Sequence, residues 1–231
     1  MHTDIAVLPG AGSFGGELRP LIQAFQPSAW LVRYPGRFGR DFGRPANSFD
    51  QVVRSCVEQV TRRSTDRPAL VGHSFGAYVA YAAAVELERL GTELGSVVVV
   101  GAMPPNLFSV PESVTQSRAA LAAYLDEINP DIDSSGEWRD VMVDTAMSDL
   151  VLLRGFTPSR LGLLRCPILA AQGETDPLIT TAGLADWGRA TTGDFDHRIF
   201  AGGHIDLLAD DAFVTWLRDA TSARPRRHVH H

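Results

Sequence analysis

Three stretches of this chain hold residue types that could together carry out acyl-transfer chemistry. Gly72-His73-Ser74-Phe75-Gly76 matches G-x-S-x-G, the pattern that sets a serine on a sharp strand-to-helix turn. Gln172-Gly173-Glu174-Thr175-Asp176-Pro177 offers two carboxylates, and Ala201-Gly202-Gly203-His204 offers an imidazole on a loop that two glycines allow to turn sharply. A serine hydroxyl is a weak nucleophile at neutral pH and needs an adjacent base; that base needs an acid to hold its tautomer and stabilise its charge. The chain order serine, acid, histidine fits this arrangement. Ser74 is therefore expected as nucleophile, His204 as base and Asp176 as acid, with Glu174 the second choice of acid. Among the other histidines, His73 adjoins the serine and should point away from it, His197 enters a strand, and His2 and the tail histidines are terminal. The backbone N–H of Phe75, the residue after the serine, is the expected first oxyanion donor. Ala11, in the glycine-rich loop from Pro9 to Gly16, is the expected second.

Such side chains need a rigid frame. Short apolar runs alternate with helical patterns, which predicts a parallel sheet covered by helices on both faces. Strands are expected at Ile5–Leu8, Trp30–Val32, Ala69–Val71, Val97–Val100, Pro167–Ala171 and Arg198–Phe200. Apolar Phe49, Val52, Val53, Cys56, Val57 and Val60 repeat at helical spacing behind a Ser48/Gln51 capping box. The segment from Phe75 to Leu90, closed by Gly91, is apolar nearly all round and should be a buried helix. A last helix should carry Leu207, Leu208, Phe213, Trp216 and Leu217.

The stretch from about 104 to 165 breaks the alternation. Val114, Leu121, Tyr124, Leu125 and Ile128 share one helical face, and Val143, Ala146, Met147, Leu150 and Leu153 share another. An all-helical insertion there is most simply a lid over the C-terminal edge of the sheet, where such folds bind ligands. Asp149, within it, is expected at the surface or the mouth. The tail, about 222–231, is expected to be disordered.

The 231 residues suit a single large α/β domain, residues 1–231, better than two small ones. A formal net charge of −6 argues against nucleic acid as the main partner. No apolar run approaches the roughly 20 residues that span a bilayer, and the N-terminus has no signal-peptide pattern. Cys56 and Cys166 are expected to be buried and reduced, which with these absences leads us to expect a cytoplasmic protein. The proposed chemistry needs neither metal nor organic cofactor.

In five short segments the sequence resembles the type II thioesterases of polyketide and nonribosomal peptide biosynthesis, enzymes of the α/β-hydrolase fold. Leu8-Pro9-Gly10-Ala11-Gly12-Ser13 is similar to their proline-histidine-alanine-glycine-glycine loop, and Tyr34-Pro35-Gly36-Arg37-Phe38-Gly39-Arg40 to their proline-glycine-arginine segment. Gly72 to Ala77 is close to their serine elbow, and Gly173 to Pro177 and Gly202-Gly203-His204 to their acid and histidine loops. The resemblance implies hydrolysis of acyl groups from the phosphopantetheine arm of acyl or peptidyl carrier proteins. Two positions depart from the family pattern: Gly10 stands where histidine is usual, and Ile205-Asp206 where aromatics often follow the catalytic histidine. Asp206 could cap the final helix.

The carrier proteins of such pathways are generally acidic. Arg33, Arg37, Arg40 and Arg44 cluster after the second strand, and Arg37 and Arg40 are the candidates to meet the carrier or its phosphate. A solvated arginine-rich loop is the equal alternative. The residues leave open an oxygen-ester hydrolase with the same triad, an acyltransferase or cyclase, and a non-catalytic binding protein on the same scaffold.

Overall fold

The computed structural model describes residues 3–64, 66–110, 112–128 and 136–222. Six strands, β1 (Ile5–Leu8), β2 (Ala29–Leu31), β3 (Ala69–His73), β4 (Ser96–Val100), β5 (Ile168–Gly173) and β6 (Phe195–Phe200), form one parallel sheet in the order β2-β1-β3-β4-β5-β6. The chain steps outward from β1 to β2, returns to β3, and then proceeds through β4, β5 and β6. Connections therefore diverge between β1 and β3. At such a reversal the loops leave in opposite directions and open a crevice beyond the strands' C-terminal ends.

Alternation along the strands divides the core in two. Ala6, Leu8, Leu70, Val97, Val99, Ile168 and Ala170 face α2 (Phe49–Arg63) and α3 (Phe75–Arg89). Ile5, Val7, Ala69, Val71, Val98, Val100, Leu169 and Ala171 face the other way, against α1 (Arg19–Ala24) and α8 (Asp211–Ser222). The apolar positions predicted on α2 are all buried, and Ser48 Oγ accepts the N–H of Gln51 at its start. Gln51 Oε1 reaches back past the cap to the N–H of Asn47, so the box closes one residue early.

Between β4 and β5 lie α4 (Glu112–Gln116), α5 (Arg118–Ile128) and α6 (Glu137–Leu153), followed by a 3-10 turn at Pro158–Arg160. Val114, Leu121, Val143 and Ala146 pack together, with Ala11, Tyr124, Leu125, Met147 and Leu150 against them. The two predicted apolar faces thus meet each other and the loop after β1.

Several expectations shift. The short helices α1 and α7 (Thr181–Asp186) were not expected; at six residues each they are too short to show a period. β6 begins at Phe195 rather than Arg198, because most of this edge strand faces solvent and carries polar residues. The last helix is broken: a 3-10 turn holds Asp206–Ala209, and α8 starts at Asp211, where Asp210 Oδ1 accepts the N–H of Phe213. Residues 223–231, most of the expected disordered tail, lie outside the described residues.

Candidate active site

β3 delivers Ser74 to the divergence point and α3 begins at the next residue. The turn between them is tight: Ser74 has φ 53°, a conformation costly for a residue with a Cβ, and its N–H is anchored to Val100 O at 2.8 Å. Only glycine fits on either side. A Cβ on Gly72 would stand 2.2 Å from Gly76 O, and one on Gly76 2.3 Å from Leu8 O. Phe75 opens α3, so its N–H is one of the four at a helix start with no acceptor within the helix.

The loop after β6 brings His204 beneath the same cavity. Its Nδ1 lies 2.8 Å from Asp176 Oδ2, and both side chains are almost wholly buried. Asp176 Oδ1 accepts the N–H of Leu178 at 2.9 Å. Burial pushes the Asp176 carboxyl up, but the hydrogen bond and charge of His204, the N–H of Leu178 and the nearby His73 outweigh it. The group is held below the usual carboxylate range. His204 Nε2 has no hydrogen-bond partner among the described residues, so this ring nitrogen is free to exchange a proton. Glu174 is exposed, which leaves Asp176 as the acid that meets the imidazole. Asp206 does not cap α8; its Oδ2 accepts the N–H of Gly203 at 2.8 Å and ties down the histidine loop.

His73 does more than turn aside. Its Nε2 donates to His204 O at 2.9 Å and its ring lies 4.7 Å from that of His204. A carbonyl can only accept, which fixes the Nε2–H tautomer. Burial, then the neighbouring His204, lowers its pKa to about 3, against smaller opposing effects of the His204 hydrogen bond and Asp176, so it is neutral at physiological pH. Gly10 leaves room here, since a Cβ at that position would come within 3.3 Å of His73 Nδ1 and 3.5 Å of Ser74 Cβ.

Ser74, His73, His204, Gly10 and Ala11 border a cavity of about 330 Å³, whose other walls include Tyr124, Leu125 and Ile128 of α5 and Met142, Val143 and Leu150 of α6. A largely apolar chamber with a few convergent polar groups at one end suits an acyl chain whose reactive carbon sits at that end. Among the described residues no group of three or more His, Cys, Asp or Glu is placed to hold a metal ion.

Two charged residues stand elsewhere than the sequence suggested. Arg37 is 3% exposed and its guanidinium is spent inside the protein, on Asp149, Ser13 O and Gly10 O, so it cannot meet a carrier protein. Asp149 is not at the mouth; it is buried, pairs with Arg37 and accepts the N–H of Gly12 at 2.8 Å. Burial raises its pKa to about 6, even though Arg37 and the Gly12 N–H pull it down. A lone acid among apolar Ala146, Leu150 and Leu153 was the available signal. Arg33, Arg40 and Arg44 are exposed. They flank Phe38 and Phe42, whose rings lie 6.0 and 6.3 Å from the cavity-lining Phe14.

The parallel sheet, its divergence point and the serine turn define an α/β-hydrolase fold. The chain belongs to the thioesterase family, whose domain model matches residues 3–221. Among curated relatives, thioesterase PikA5 of Streptomyces venezuelae is 29% identical over 217 residues, covering 88% of this chain and 75% of that one. The probable cadicidin biosynthesis thioesterase of Streptomyces griseus is 27% identical over 214 residues; the match covers 88% of this chain but only 58% of that protein. The solved type II thioesterase BorB from the borrelidin biosynthetic cluster superposes with a TM-score of 0.83 at 27% identity, over 96% of this chain and 93% of that one. The fold is likewise shared with the RedJ thioesterase of the prodiginine pathway in Streptomyces coelicolor, with a TM-score of 0.84 at 24% identity over 94% and 90% of the two chains.

Proposed function

We propose that this protein is a type II thioesterase that hydrolyses acyl groups from the phosphopantetheine arm of acyl or peptidyl carrier proteins in polyketide or nonribosomal peptide synthesis. The observation that carries the mechanism is the pairing of His204 Nδ1 with Asp176 at 2.8 Å while Nε2 is left unpartnered beside the cavity that Ser74 lines. In the first step Ser74 Oγ attacks the thioester carbonyl carbon as His204 Nε2 takes its proton. The oxyanion settles against the N–H groups of Phe75 and Ala11, each worth about 3 kcal/mol in the transition state. The carbon–sulfur bond then breaks, the proton passes to the departing sulfur, and the acyl group remains on Ser74. In the second step His204 draws a proton from water, the resulting hydroxide releases the acid, and Ser74 recovers its proton.

Helices α4 to α6 serve as the lid, and the chamber beneath them takes the acyl chain. The exposed Arg40, with Arg33 and Arg44, meets the acidic carrier near the aromatic rim at Phe14. The same reading places the enzyme in the cytoplasm with its carriers, in keeping with two free, buried thiols at Cys56 and Cys166. Kinetics on matched substrates test it. A thioester should exceed its oxygen-ester counterpart in kcat/KM, and Arg40→Glu should raise KM for the acyl-carrier substrate alone. Faster turnover of the oxygen ester would replace this reading with that of an ester hydrolase.

A further inference from the structure

The Arg37–Asp149 pair, 112 residues apart in sequence, grips the very loop that supplies the second oxyanion donor. Asp149, from α6, accepts the N–H of Gly12 at 2.8 Å. Arg37 donates to Ser13 O and, at a long 3.5 Å, to Gly10 O. Its guanidinium lies 4.6 Å from the ring of Tyr34, whose hydroxyl donates to Pro9 O at 3.2 Å. The backbone of residues 9, 10, 12 and 13 is thus held on both sides of Ala11. Gly10 C=O and Ala11 N–H belong to one planar peptide and point in opposite directions. Holding the carbonyl from the Arg37 side therefore turns the N–H away from Arg37. Gly12 also lies hard against α6, where a Cβ would stand 2.7 Å from Met142 O.

We infer that Arg37 and Asp149 are positioning residues that aim the Ala11 N–H at the oxyanion and tie that aim to the seating of helix α6. A buried ion pair seldom adds net stability over an apolar pair of equal volume, so its presence at this loop calls for another role. By contributing Asp149, the helical insertion completes the oxyanion hole as well as covering the chain. This role rests on the proposed triad and on Ala11 as a donor, and the experiment separates the two.

Wild type, Ser74→Ala, Asp149→Asn and Arg37→Lys are compared on a soluble N-acetylcysteamine thioester, with thermal unfolding measured alongside. Binding is measured for two analogues of equal chain length that are not turned over: a trifluoromethyl ketone, which forms a reversible tetrahedral oxyanion adduct with the serine, and a thioether, which forms none. Asp149→Asn should lower kcat about 10- to 100-fold with KM nearly unchanged. It should weaken the ketone by a similar factor and leave the thioether within about twofold. Arg37→Lys, which keeps the charge but loses the planar fork, should show the same pattern more weakly, and it carries the test if Asp149→Asn fails to fold. A variant that melts earlier yet keeps wild-type kcat and ketone affinity would overturn the inference, as would equal losses for both analogues. Wild type lacking Ser74-dependent turnover would overturn the triad reading and this role with it.

Discussion

Beneath the cavity, at the sheet edge, the polar side chains are buried and fixed to backbone. His73 is held by His204 O and Asp176 by the N–H of Leu178, while Asp206, itself exposed, ties down the histidine loop from outside. Above it, α5 and α6 present apolar side chains inward and are joined by ion pairs in solvent. Arg118 reaches Asp140 at 2.5 Å and Asp144 at 2.8 Å, and Arg139 reaches Asp126 at 2.6 Å. The same chemistry of charge and hydrogen bond thus fixes atoms below and only fastens helices above. In the dry floor a misplaced group has no water to replace its partner, whereas in the roof water and salt compete freely. Among the described residues, Arg37–Asp149 is the one ion pair in which a roof residue is as buried as the floor.

This contrast predicts a steep ranking of effects. Largest is the loss of the proposed proton carrier: His204→Ala should lower kcat by about 10⁴-fold or more in steady-state assays with a soluble thioester. A loss of tenfold or less would mean that His204 is structural.

Next comes the acid stability of the floor. His73 titrates near 3 when folded and near 6.5 when unfolded, so between those values the unfolded chain binds more protons and stability falls as the pH is lowered. The loss should be on the order of a few kcal/mol by pH 3. Asp149 acts in the opposite sense between 3.8 and about 6, but its displacement is the smaller of the two. Denaturant unfolding at a series of pH values should show this fall, flattened in His73→Asn. An identical slope in the variant would remove His73 as its source.

Smallest is the roof. Arg118→Ala should shift the unfolding midpoint only slightly, and the difference from wild type should shrink in molar salt. A large loss of stability that ignores salt would erase the distinction between floor and roof.

The floor was largely legible in the sequence and the link to the roof was not. Ser74, His204 and Asp176 each follow a strand whose apolar run marks its end, so local pattern alone placed them at one edge of the sheet. The faces of α5 and α6 were equally visible as periodic stripes. Arg37 and Asp149 lie far apart, and charged residues are so seldom buried that each read as a surface group. Only the packing of α6 on the loop after β1 brings them together. Phe195 to His197 escaped because an edge strand in solvent need not alternate.

Covalent labelling tests the central claim most directly. A serine-directed fluorophosphonate should add one mass increment to the wild-type protein, located at Ser74 by peptide mapping. The increment should be absent in Ser74→Ala and formed far more slowly in His204→Ala. Labelling that persists in Ser74→Ala, or wild type that stays unlabelled while folded, would contradict a serine nucleophile activated by His204 and Asp176.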